Sequence, residues 1–516
     1  MILGLDSSTQ SFSAVIIDAD AGKIVGEWSV NFGQDLPQYD QPNGYDDQGG
    51  GVVHSNPLMW LDALDLLCER MVAGGAPLSE ITAVSGSGQQ HGSVYLKRGF
   101  SERLKSLSPD QSISSQLKDC LSRDSSPIWM DSSTATQCHE IASAVGGDAV
   151  VREKSGSVAI ERFTGSQIRK FSQEEPEAYQ ETGVIHLVSS FLCSVLSGRS
   201  ADIDHGDGAG MNLMNLADGD WDPELLHATA PGLATKLPPC QPSSATIAEI
   251  SPYFVEKYGF NPECESVLWS GDNPCSLVGI GAARPGQVVI SLGTSDTLFA
   301  AMPTARTDPD GFGHAFGNPM GGFMSLICFK NGSLAREAVK DKHGLDWDQF
   351  GLAGLAKTEP GNDGILMLPF FEPEITPRLD TNGPVYSVDR DLTAAEETRA
   401  VLEGQFLNMK IHSAWLQVPF DTISLTGGAS KNDGIAQVVA DVFGCPVNRL
   451  EVPGSAALGA AMRAAVAVHG ADLETLEQQF CAPEEGSTVE PNQQATARYQ
   501  EALKNYQELL ERANTN

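Results

Sequence analysis

The stretch ILGLDSST, residues 2–9, ends a short apolar run in an acid that is followed by three hydroxyl side chains. Apolar and β-branched runs separated by turn residues are typical of an antiparallel meander. Such runs recur at residues 2–5, 14–18 and 23–30. The pattern therefore predicts three strands at the start of the chain, with Asp6 in the first hairpin turn.

An acid at a hairpin turn has two interpretations. In the simpler one, Asp6 only caps a solvated turn, because aspartate favours turns in general. In the functional one, its carboxylate positions Mg²⁺ and the waters of the ion beside a phosphate, and Ser8 and Thr9 donate hydrogen bonds to that phosphate. The rest of the sequence has to decide between them.

Composition limits the possible partners and surroundings. At 516 residues the chain exceeds the roughly 100–200 residues of one domain, so at least two domains are expected. A net charge of −34 disfavours nucleic acid and anionic membranes as partners. The ten cysteines form no CxxC pair, and no stretch reaches the length of a membrane span or has the pattern of a leader. We expect a soluble protein of the cytoplasm with reduced thiols.

Strand and helix patterns alternate along the chain, which favours an α/β architecture. One helix is predicted from Pro57 with Ser55 as its cap, and an amphipathic helix is predicted over 499–510. Residues 31–54 are rich in glycine and acids and indicate a surface excursion.

One short pattern occurs in both halves of the sequence. LGLDSST at 3–9 resembles LGTSDT at 292–297, since each ends an apolar strand, is expected to use its glycine at the bend, and continues with Ser, Thr and Asp. This repeat predicts two related domains that face one polyphosphate.

Three loops carry side chains suited to a polyol. SGSGQQHGS at 85–93 places His91 after two glutamines and between glycines, so neutral donors and acceptors lie on a backbone that a ligand can approach. WMDSSTATQC at 129–138 predicts a helix capped by Asp131 or Ser132, which is compatible with a sugar contact by Trp129 or Asp131. Arg162 either bridges sugar hydroxyls or forms a surface ion pair.

The stretch VLWSGDNP at 267–274 predicts a strand, then an acid, then a helix opened by Asn273 and Pro274. The positive end of the helix dipole stabilises the ionised carboxylate of Asp272, which suits it to accept a proton from a hydroxyl that attacks the γ-phosphate. Its alternative role is to stabilise the helix alone.

LTGGASKN at 425–432 follows an apolar strand and opens a helix, and its two glycines let backbone lie against a ring or a phosphate. It is neither a Rossmann glycine motif nor a P-loop.

Taken in order, eight motifs resemble those of the FGGY family of carbohydrate kinases from about residue 1 to about residue 470: ILGLDSSTQ, SGSGQQHG, PIWMDSST, ERFTGSQI, SGDNP, SLGTSDT, CFKNGSL and LTGGASKN. The resemblance implies an actin-like, ribonuclease H-related fold with two α/β domains, built on mixed sheets, on either side of a catalytic cleft. We expect an N-terminal sugar-binding domain at 1–281 and a C-terminal nucleotide-binding domain with terminal helices at 282–516.

The resemblance also implies transfer of the γ-phosphate of ATP to the 5-hydroxyl of D-xylulose, with Mg²⁺ as cofactor, and it is compatible with a homodimer. Asp272 would be the catalytic base, and Asp6 would hold Mg²⁺ through water. The sugar would be bound by His91, Arg162, Asp272 and Asn273. The ATP site would comprise Ser8, Thr9, Gly293, Thr294, Ser295, Trp347, Gly427, Gly428 and Asn432.

Two alternatives remain open at this point. Physical reasoning does not separate D-xylulose from ribulose, glycerol or another acceptor of the same family. The paired phosphate turns are also compatible with an actin- or Hsp70-like ATPase without a sugar acceptor, although the QQH loop and Asp272 would then have no acceptor to serve.

Overall fold

The computed structural model describes residues 1–379, 383–450, 454–483 and 486–515, and two mixed β-sheets organise it. The first sheet has the order β5-β6-β4-β1-β2-β3, and β7 pairs with the end of β4. Its strands are β1 (Ile2–Ser7), β2 (Ser11–Asp18), β3 (Lys23–Asn31), β4 (Ala83–Gly88), β5 (Thr246–Glu249), β6 (Glu265–Val267) and β7 (Ser270–Gly271).

The second sheet has the order β10-β11-β9-β8-β12-β13. Its strands are β8 (Gln287–Leu292), β9 (Asp296–Met302), β10 (His314–Gly317), β11 (Phe323–Phe329), β12 (Thr422–Thr426) and β13 (Val447–Arg449). The main helices are α1 (Pro57–Ala73), α2 (Val188–Ser197), α3 (Asp272–Gly279), α4 (Ser333–Lys342), α5 (Ala394–His412), α6 (Asp433–Phe443), α7 (Ser455–His469) and α8 (Gln493–Thr515).

Shorter elements connect these. The further helices are Phe32–Asp35, Phe100–Leu104, Ile113–Leu117, Ala135–Val145, Asp148–Ser155, Thr164–Glu174, Pro176–Glu181, His205–Gly208, Pro223–Thr229, Pro252–Tyr258, Trp347–Phe350, Leu352–Leu355 and Leu473–Phe480. The further strands are Asp46–Gly49, Val52–Ser55, Ser93–Lys97, Ser126–Pro127, Thr182–Leu187, Ile203–Asp204, Met214–Asn215, Asp220–Trp221, Cys240–Gln241, Met367–Leu368, Glu374–Ile375, Arg378–Leu379 and Val385–Tyr386.

The two sheets share one pairing scheme. β1 pairs antiparallel with β2 and parallel with β4, and β8 pairs antiparallel with β9 and parallel with β12. The β1–β2 and β8–β9 hairpins are therefore equivalent, as the repeated motif predicts. The α/β prediction with two related mixed sheets is confirmed.

Two details of the predicted hairpin are wrong. Asp6 lies within β1, opposite Ser13 of β2, and not in the turn. Gly4 also lies in the strand and not at a bend. An added Cβ there would meet the backbone oxygen of Ala457 at 1.9 Å. Glycine is required at this position for close approach of α7 to the sheet.

The helix caps show how local chemistry sets the boundaries. Asn56, and not the predicted Ser55, caps α1 by accepting the backbone N–H of Leu58, and Pro57 follows at the first helical position. The predicted terminal helix exists and is longer than expected.

Residues 31–54 are only partly a surface excursion. The strand Asp46–Gly49 is exposed, whereas Phe32 and Val53 are buried in the core of the first sheet. Apolar side chains at both ends of the segment therefore anchor it.

Helix α7 connects the two halves of the molecule. It follows the last strand of the second sheet, yet it packs on the first sheet, where its Ala457, Leu458 and Ala461 join Ile2 and Val267 in one apolar cluster. It also crosses α3, and the two helices approach through glycine. An added Cβ on Gly279 would lie 1.9 Å from the oxygen of Ser455.

We expect Gly279→Ala to lower the thermal unfolding midpoint by about 5 °C or more, because backbone atoms of α7 leave no room for a methyl group. Differential scanning fluorimetry of the purified variant measures this. Gly428→Ala is the matched control, since a Cβ there meets no atom within 4 Å. An unchanged midpoint for Gly279→Ala would contradict the close crossing.

Candidate active site

Asp6 lies near the end of β1, and Asp272 directly follows β7. The hydroxyl of Ser87, on the neighbouring β4, donates to Oδ1 of Asp6 over 2.7 Å. Burial and the negative charge of Asp272 raise the pKa of Asp6 to about 7. Two carboxylates are thus held close enough to oppose each other's ionisation.

Asp272 is the first residue of α3, and Gly271 is its cap, so the prediction that the helix starts at Asn273, after Asp272, is wrong. Its Oδ1 accepts the backbone N–H of Asn273 at 2.8 Å, the backbone N–H of Gln90 at 3.4 Å and Nδ2 of Asn273 at 3.1 Å. Burial raises its pKa to about 6, although these hydrogen bonds favour the ionised form. All three of these donors therefore meet Oδ1.

Gln90 orients the amide of Asn273. Nδ2 of Asn273 donates to Oε1 of Gln90 over 2.9 Å as well as to Asp272, so both of its hydrogens are used. The oxygen of Asn273 is then its remaining polar atom for a ligand. Sequence reasoning named Gln90 only as part of a polar loop, and its contact with a residue 183 positions away gave no local signal.

His91 is held as a neutral imidazole in a strained backbone conformation. Its φ of 70° is rare for a residue with a Cβ, and strain of this kind concentrates at functional sites. Nδ1 donates to the oxygen of Gly210 over 2.9 Å, and the ring stacks on Phe163 at 4.2 Å. Burial, together with the charge of Arg162, lowers its pKa to about 3.

Arg162 lies beside this stack. Its Nη2 is 3.3 Å from Nε2 of His314, and its guanidinium carbon is 5.5 Å from the ring centre of Phe163. Phe163 therefore links Arg162 to His91, and Gln90, which precedes His91, links that ring to Asp272 and Asn273. His314 was missed because it lies 152 positions from Arg162.

The loop that contains Trp129 is built differently from the prediction. The helix Ala135–Val145 begins after Thr134, so neither predicted cap is correct. Asp131 is buried and accepts from the backbone N–H of Val53 and from Nε2 of Gln167, which makes it a structural residue.

The first hairpin turn is braced from outside and from within. Nε1 of Trp129 donates to the hydroxyl of Thr9 over 2.9 Å, and the indole stays 44% exposed. The hydroxyl of Ser8 donates to the backbone oxygen of Ser11 over 3.0 Å. Ser8 and Thr9, which are predicted to contact phosphate, therefore form side-chain hydrogen bonds that stabilise the turn.

A buried ion pair holds the equivalent turn in the second half. Gly293, Thr294 and Ser295 form the bend, and Asp296 directly after it is fully buried. Nη1 and Nη2 of Arg336 donate to the two carboxylate oxygens of Asp296 at 2.8 and 2.9 Å. Neither partner was predicted as a site residue, although the aspartate of LGTSDT was the available signal.

Two cavities, of about 600 and 520 Å³, lie next to this turn. Of the predicted residues, the larger is lined by Gly293, Thr294, Trp347, Gly428 and Asn432, and the smaller by Asn273, Gly427 and Gly428. Gly428 and Lys431 line both cavities. Ser8, Thr9 and Ser295 line neither of the two.

A flat aromatic residue and the start of a helix both line the larger cavity. Trp347 is 44% exposed, and Asn432 caps α6 while its Nδ2 donates to the oxygen of Trp347 over 3.4 Å. Gly427 has a φ of 88°, and a Cβ there would lie 2.3 Å from the oxygen of Leu292. Only glycine fits between this turn and β8.

Within the described residues there is no group of three or more His, Cys, Asp and Glu side chains that could hold a metal ion directly. No helix in that part of the chain is long and apolar enough to cross a bilayer.

Solved structures share this architecture over almost the whole chain. A xylulose kinase from Rhodospirillum rubrum superposes with a TM-score of 0.83 at 18% identity, covering 100% of this chain and 99% of that one. A gluconate kinase from Lactobacillus acidophilus gives 0.81 at 20% identity, covering 98% and 97%. Together with two equivalent mixed sheets around a cleft, these similarities define the actin-like ATPase fold.

Sequence comparison identifies the family. Models of the FGGY family of carbohydrate kinases match at residues 112–279 for the N-terminal domain and at residues 288–468 for the C-terminal domain. The xylulose kinase of Rattus norvegicus is 42% identical over 527 aligned positions, covering 99% of this chain and 96% of that protein. The chain belongs to the FGGY family of carbohydrate kinases.

Arg336→Met should destabilise the protein by about 3–5 kcal/mol, because it leaves the carboxylate of Asp296 buried without its partner. Urea unfolding followed by fluorescence measures the loss. Arg498→Met removes the exposed pair with Glu359 and is the control, for which we expect less than about 1 kcal/mol. Equal midpoints for the two variants would show that the buried pair does not stabilise the turn.

Proposed function

We propose that the protein transfers the γ-phosphate of ATP to the 5-hydroxyl of D-xylulose, giving D-xylulose 5-phosphate and ADP, in the cytoplasm. The observation that carries this proposal is Asp272, whose Oδ1 is held by three N–H groups beside His91, Arg162 and Asn273. The 42% identity with the rat xylulose kinase supports D-xylulose as acceptor. The ten unpaired cysteines are compatible with a reducing compartment.

In the proposed mechanism, Asp272 is the general base. A carboxylate with a pKa near 6 is ionised at neutral pH, and it is a stronger proton acceptor than an ordinary aspartate. Fixed N–H groups keep Oδ1 in place, so Oδ2 takes the proton of the attacking hydroxyl. Positioning and charge neutralisation account for most catalysis of phosphoryl transfer, so one well-placed base is sufficient.

Each sugar-binding group has a fixed role as a hydrogen-bond donor or acceptor. His91 is neutral, and because Nδ1 donates to Gly210, its Nε2 carries the lone pair and accepts a hydrogen bond from a hydroxyl. Asn273 likewise offers its oxygen as an acceptor, whereas the guanidinium of Arg162 only donates. This set accepts from hydroxyl groups and donates to a carbonyl or hydroxyl oxygen, as a ketose requires.

The nucleotide occupies the two adjoining cavities in this proposal. Trp347 and Asn432 contact the adenosine, and Gly427 and Gly428 allow backbone to approach it. Gly293, Thr294 and Ser295 face the β- and γ-phosphates, with Ser8 and Thr9 on the opposite turn.

The pair of carboxylates fits a hydrated Mg²⁺. Asp6 and Asp272 repel each other, and a divalent cation beside them would relieve that repulsion. Mg²⁺ usually keeps several waters and takes one or two carboxylates plus substrate phosphates, so no three-ligand protein cluster is needed. Asp6 would hold the ion through water, and the bound ion would neutralise charge on the transferred phosphate.

We also propose the domain division at residues 281 and 282, with sugar bound mainly by 1–281 and nucleotide by 282–516. Within this division, α7 belongs to the second segment in sequence and packs on the first sheet in space.

ADP release from Mg-ATP should rise strongly with D-xylulose and much less with ribulose, glycerol or gluconate. A coupled assay on the purified protein, with each acceptor and with none, measures the rates. A clear preference for another acceptor would make that acceptor, and not D-xylulose, the substrate of this member of the family. Equal release with and without every acceptor would favour the ATPase alternative.

Asp272→Asn should lower kcat by roughly 10²–10⁴-fold while the Kd for Mg-ATP changes little, because it removes the proton acceptor and keeps the shape. Asp148→Asn, at the exposed first position of the helix Asp148–Ser155, is the matched control and should have wild-type activity. Turnover within about twofold of wild type would show that Asp272 is not the base.

The pH profile gives a separate test of the same residue. Asp272 has to be ionised to accept a proton, so kcat/KM for the sugar should fall about tenfold for each pH unit below about pH 6. A profile that is flat down to pH 5 would contradict a base with this raised pKa.

Asp6→Asn should raise the Mg²⁺ concentration needed for half-maximal rate by roughly 10- to 100-fold, with a smaller change in KM for the sugar. Titration of Mg²⁺ at fixed ATP measures this. Asp18→Asn, at the end of the adjacent β2, is the control. An unchanged Mg²⁺ requirement and turnover would restore a purely structural role for Asp6.

A further inference from the structure

We infer that His314 is a positioning residue for Arg162, and that the second half of the chain thereby sets the sugar-binding geometry of the first. The inference rests on the proposed function, because it takes Arg162 as a sugar-binding residue. It assigns a role to a histidine that no motif of the sequence marked.

The contact joins two distant parts of the structure. Arg162 lies just before the helix Thr164–Glu174, and His314 is the first residue of β10, the edge strand of the second sheet. Nη2 of Arg162 is 3.3 Å from Nε2 of His314, whose side chain is almost completely buried.

The chemistry of the two groups fixes the direction of this hydrogen bond. A guanidinium has only donors, so Nε2 of His314 must be the unprotonated acceptor. The proton of the neutral ring is then on Nδ1, which donates to the hydroxyl of Ser157 over 3.2 Å. Burial, followed by the positive charge of Arg162, keeps the pKa of His314 well below its usual range, in agreement with this tautomer.

The rings around the contact restrict its movement. The ring of His314 lies 5.5 Å from that of Phe163 and 6.0 Å from that of Phe316, and His91 stacks on Phe163 at 4.2 Å. The two neutral histidines therefore share one aromatic cluster, with Arg162 beside it. This cluster fixes the plane of the imidazole that accepts from the guanidinium.

The strand that carries His314 is itself docked on the first half. The backbone N–H of Ala315 donates to the oxygen of Gly156 over 3.0 Å. At the other end of β10, a Cβ on Gly317 would lie 2.4 Å from the oxygen of His205, so only glycine permits this approach. His314 is thus anchored against the segment that precedes Arg162.

This arrangement uses one N–H of the guanidinium and leaves the others for the ligand. Arginine has many rotamers, and a fixed acceptor at one nitrogen lowers the entropy that it loses on binding. Removal of that acceptor should therefore weaken sugar binding and leave the phosphoryl-transfer step unchanged.

The first test is His314→Phe, which keeps an aromatic ring in the cluster and removes the acceptor. We expect KM for D-xylulose to rise about tenfold, with kcat and KM for Mg-ATP within about twofold of wild type. His314→Gln retains an acceptor oxygen and should recover most of the sugar affinity.

The matched control is His186→Phe. His186 is also buried and neutral, and it contacts Ser190 and Ser200 away from Arg162. Its replacement should lower the thermal midpoint without changing KM for the sugar. If the two His→Phe variants change KM equally, the effect is one of general packing and the inference is wrong.

A double-mutant cycle shows whether His314 acts through Arg162. In the Arg162→Met background, His314→Phe should change KM by less than about twofold, because the contact is already absent. A full tenfold effect in that background would overturn the inference, as would an unchanged KM for His314→Phe alone.

The acceptor that gives the fastest ADP release with wild-type protein is used throughout. If that acceptor is not D-xylulose, the proposed substrate fails and the cycle still tests His314. If no acceptor stimulates release, both the proposed function and this inference are overturned.

Discussion

Like charges in a confined space are the constraint on which the rest of this site depends. Burial and the negative charge of Asp272 raise the pKa of Asp6, and burial raises the pKa of Asp272. Neighbouring hydrogen-bond donors stabilise the ionised carboxylates. N–H groups from Asn273 and Gln90 converge on Asp272, and a hydroxyl from Ser87 meets Asp6. A site arranged in this way tolerates a net charge of −34 on the whole chain, because dipoles within hydrogen-bond distance outweigh a distant, screened field.

The two equivalent sheets hold these groups in place. Each half presents a hairpin from the centre of a mixed sheet, and the two turns are stabilised by different means. Trp129 braces the first turn at its hydroxyls, whereas a buried pair between Asp296 and Arg336 holds the second. Two hairpins with the same strand pairing are therefore stabilised by different interactions. The same fold occurs in a gluconate kinase, so the fold alone does not select the acceptor.

The sequence was informative wherever chemistry is local. Short apolar, β-branched runs between turn residues marked the strands, the repeated glycine and hydroxyl pattern marked the paired hairpins, and Asn-Pro marked the start of the helix that carries Asp272 to within one residue. Errors of one to a few residues arose at caps, where Asn56 competes with Ser55 and Thr134 with Asp131. Contacts over large separations, such as that of Gln90 with Asn273, leave no periodic signal in one sequence. The family resemblance supplied candidate residues there, and the three-dimensional contacts explain how they are held.

The crossing of α7 onto the first sheet also has a consequence for the synthesis of the protein. β1 leaves the ribosome well before α7, the helix that covers one face of its sheet. During translation, that face of the first sheet lacks its covering of small apolar side chains until α7 has been made. Exposed apolar surface of this kind favours association of incomplete chains and recruits chaperones. The geometry that joins the two halves of the mature protein thus delays the covering of the first sheet until the helix that follows the second sheet has been made.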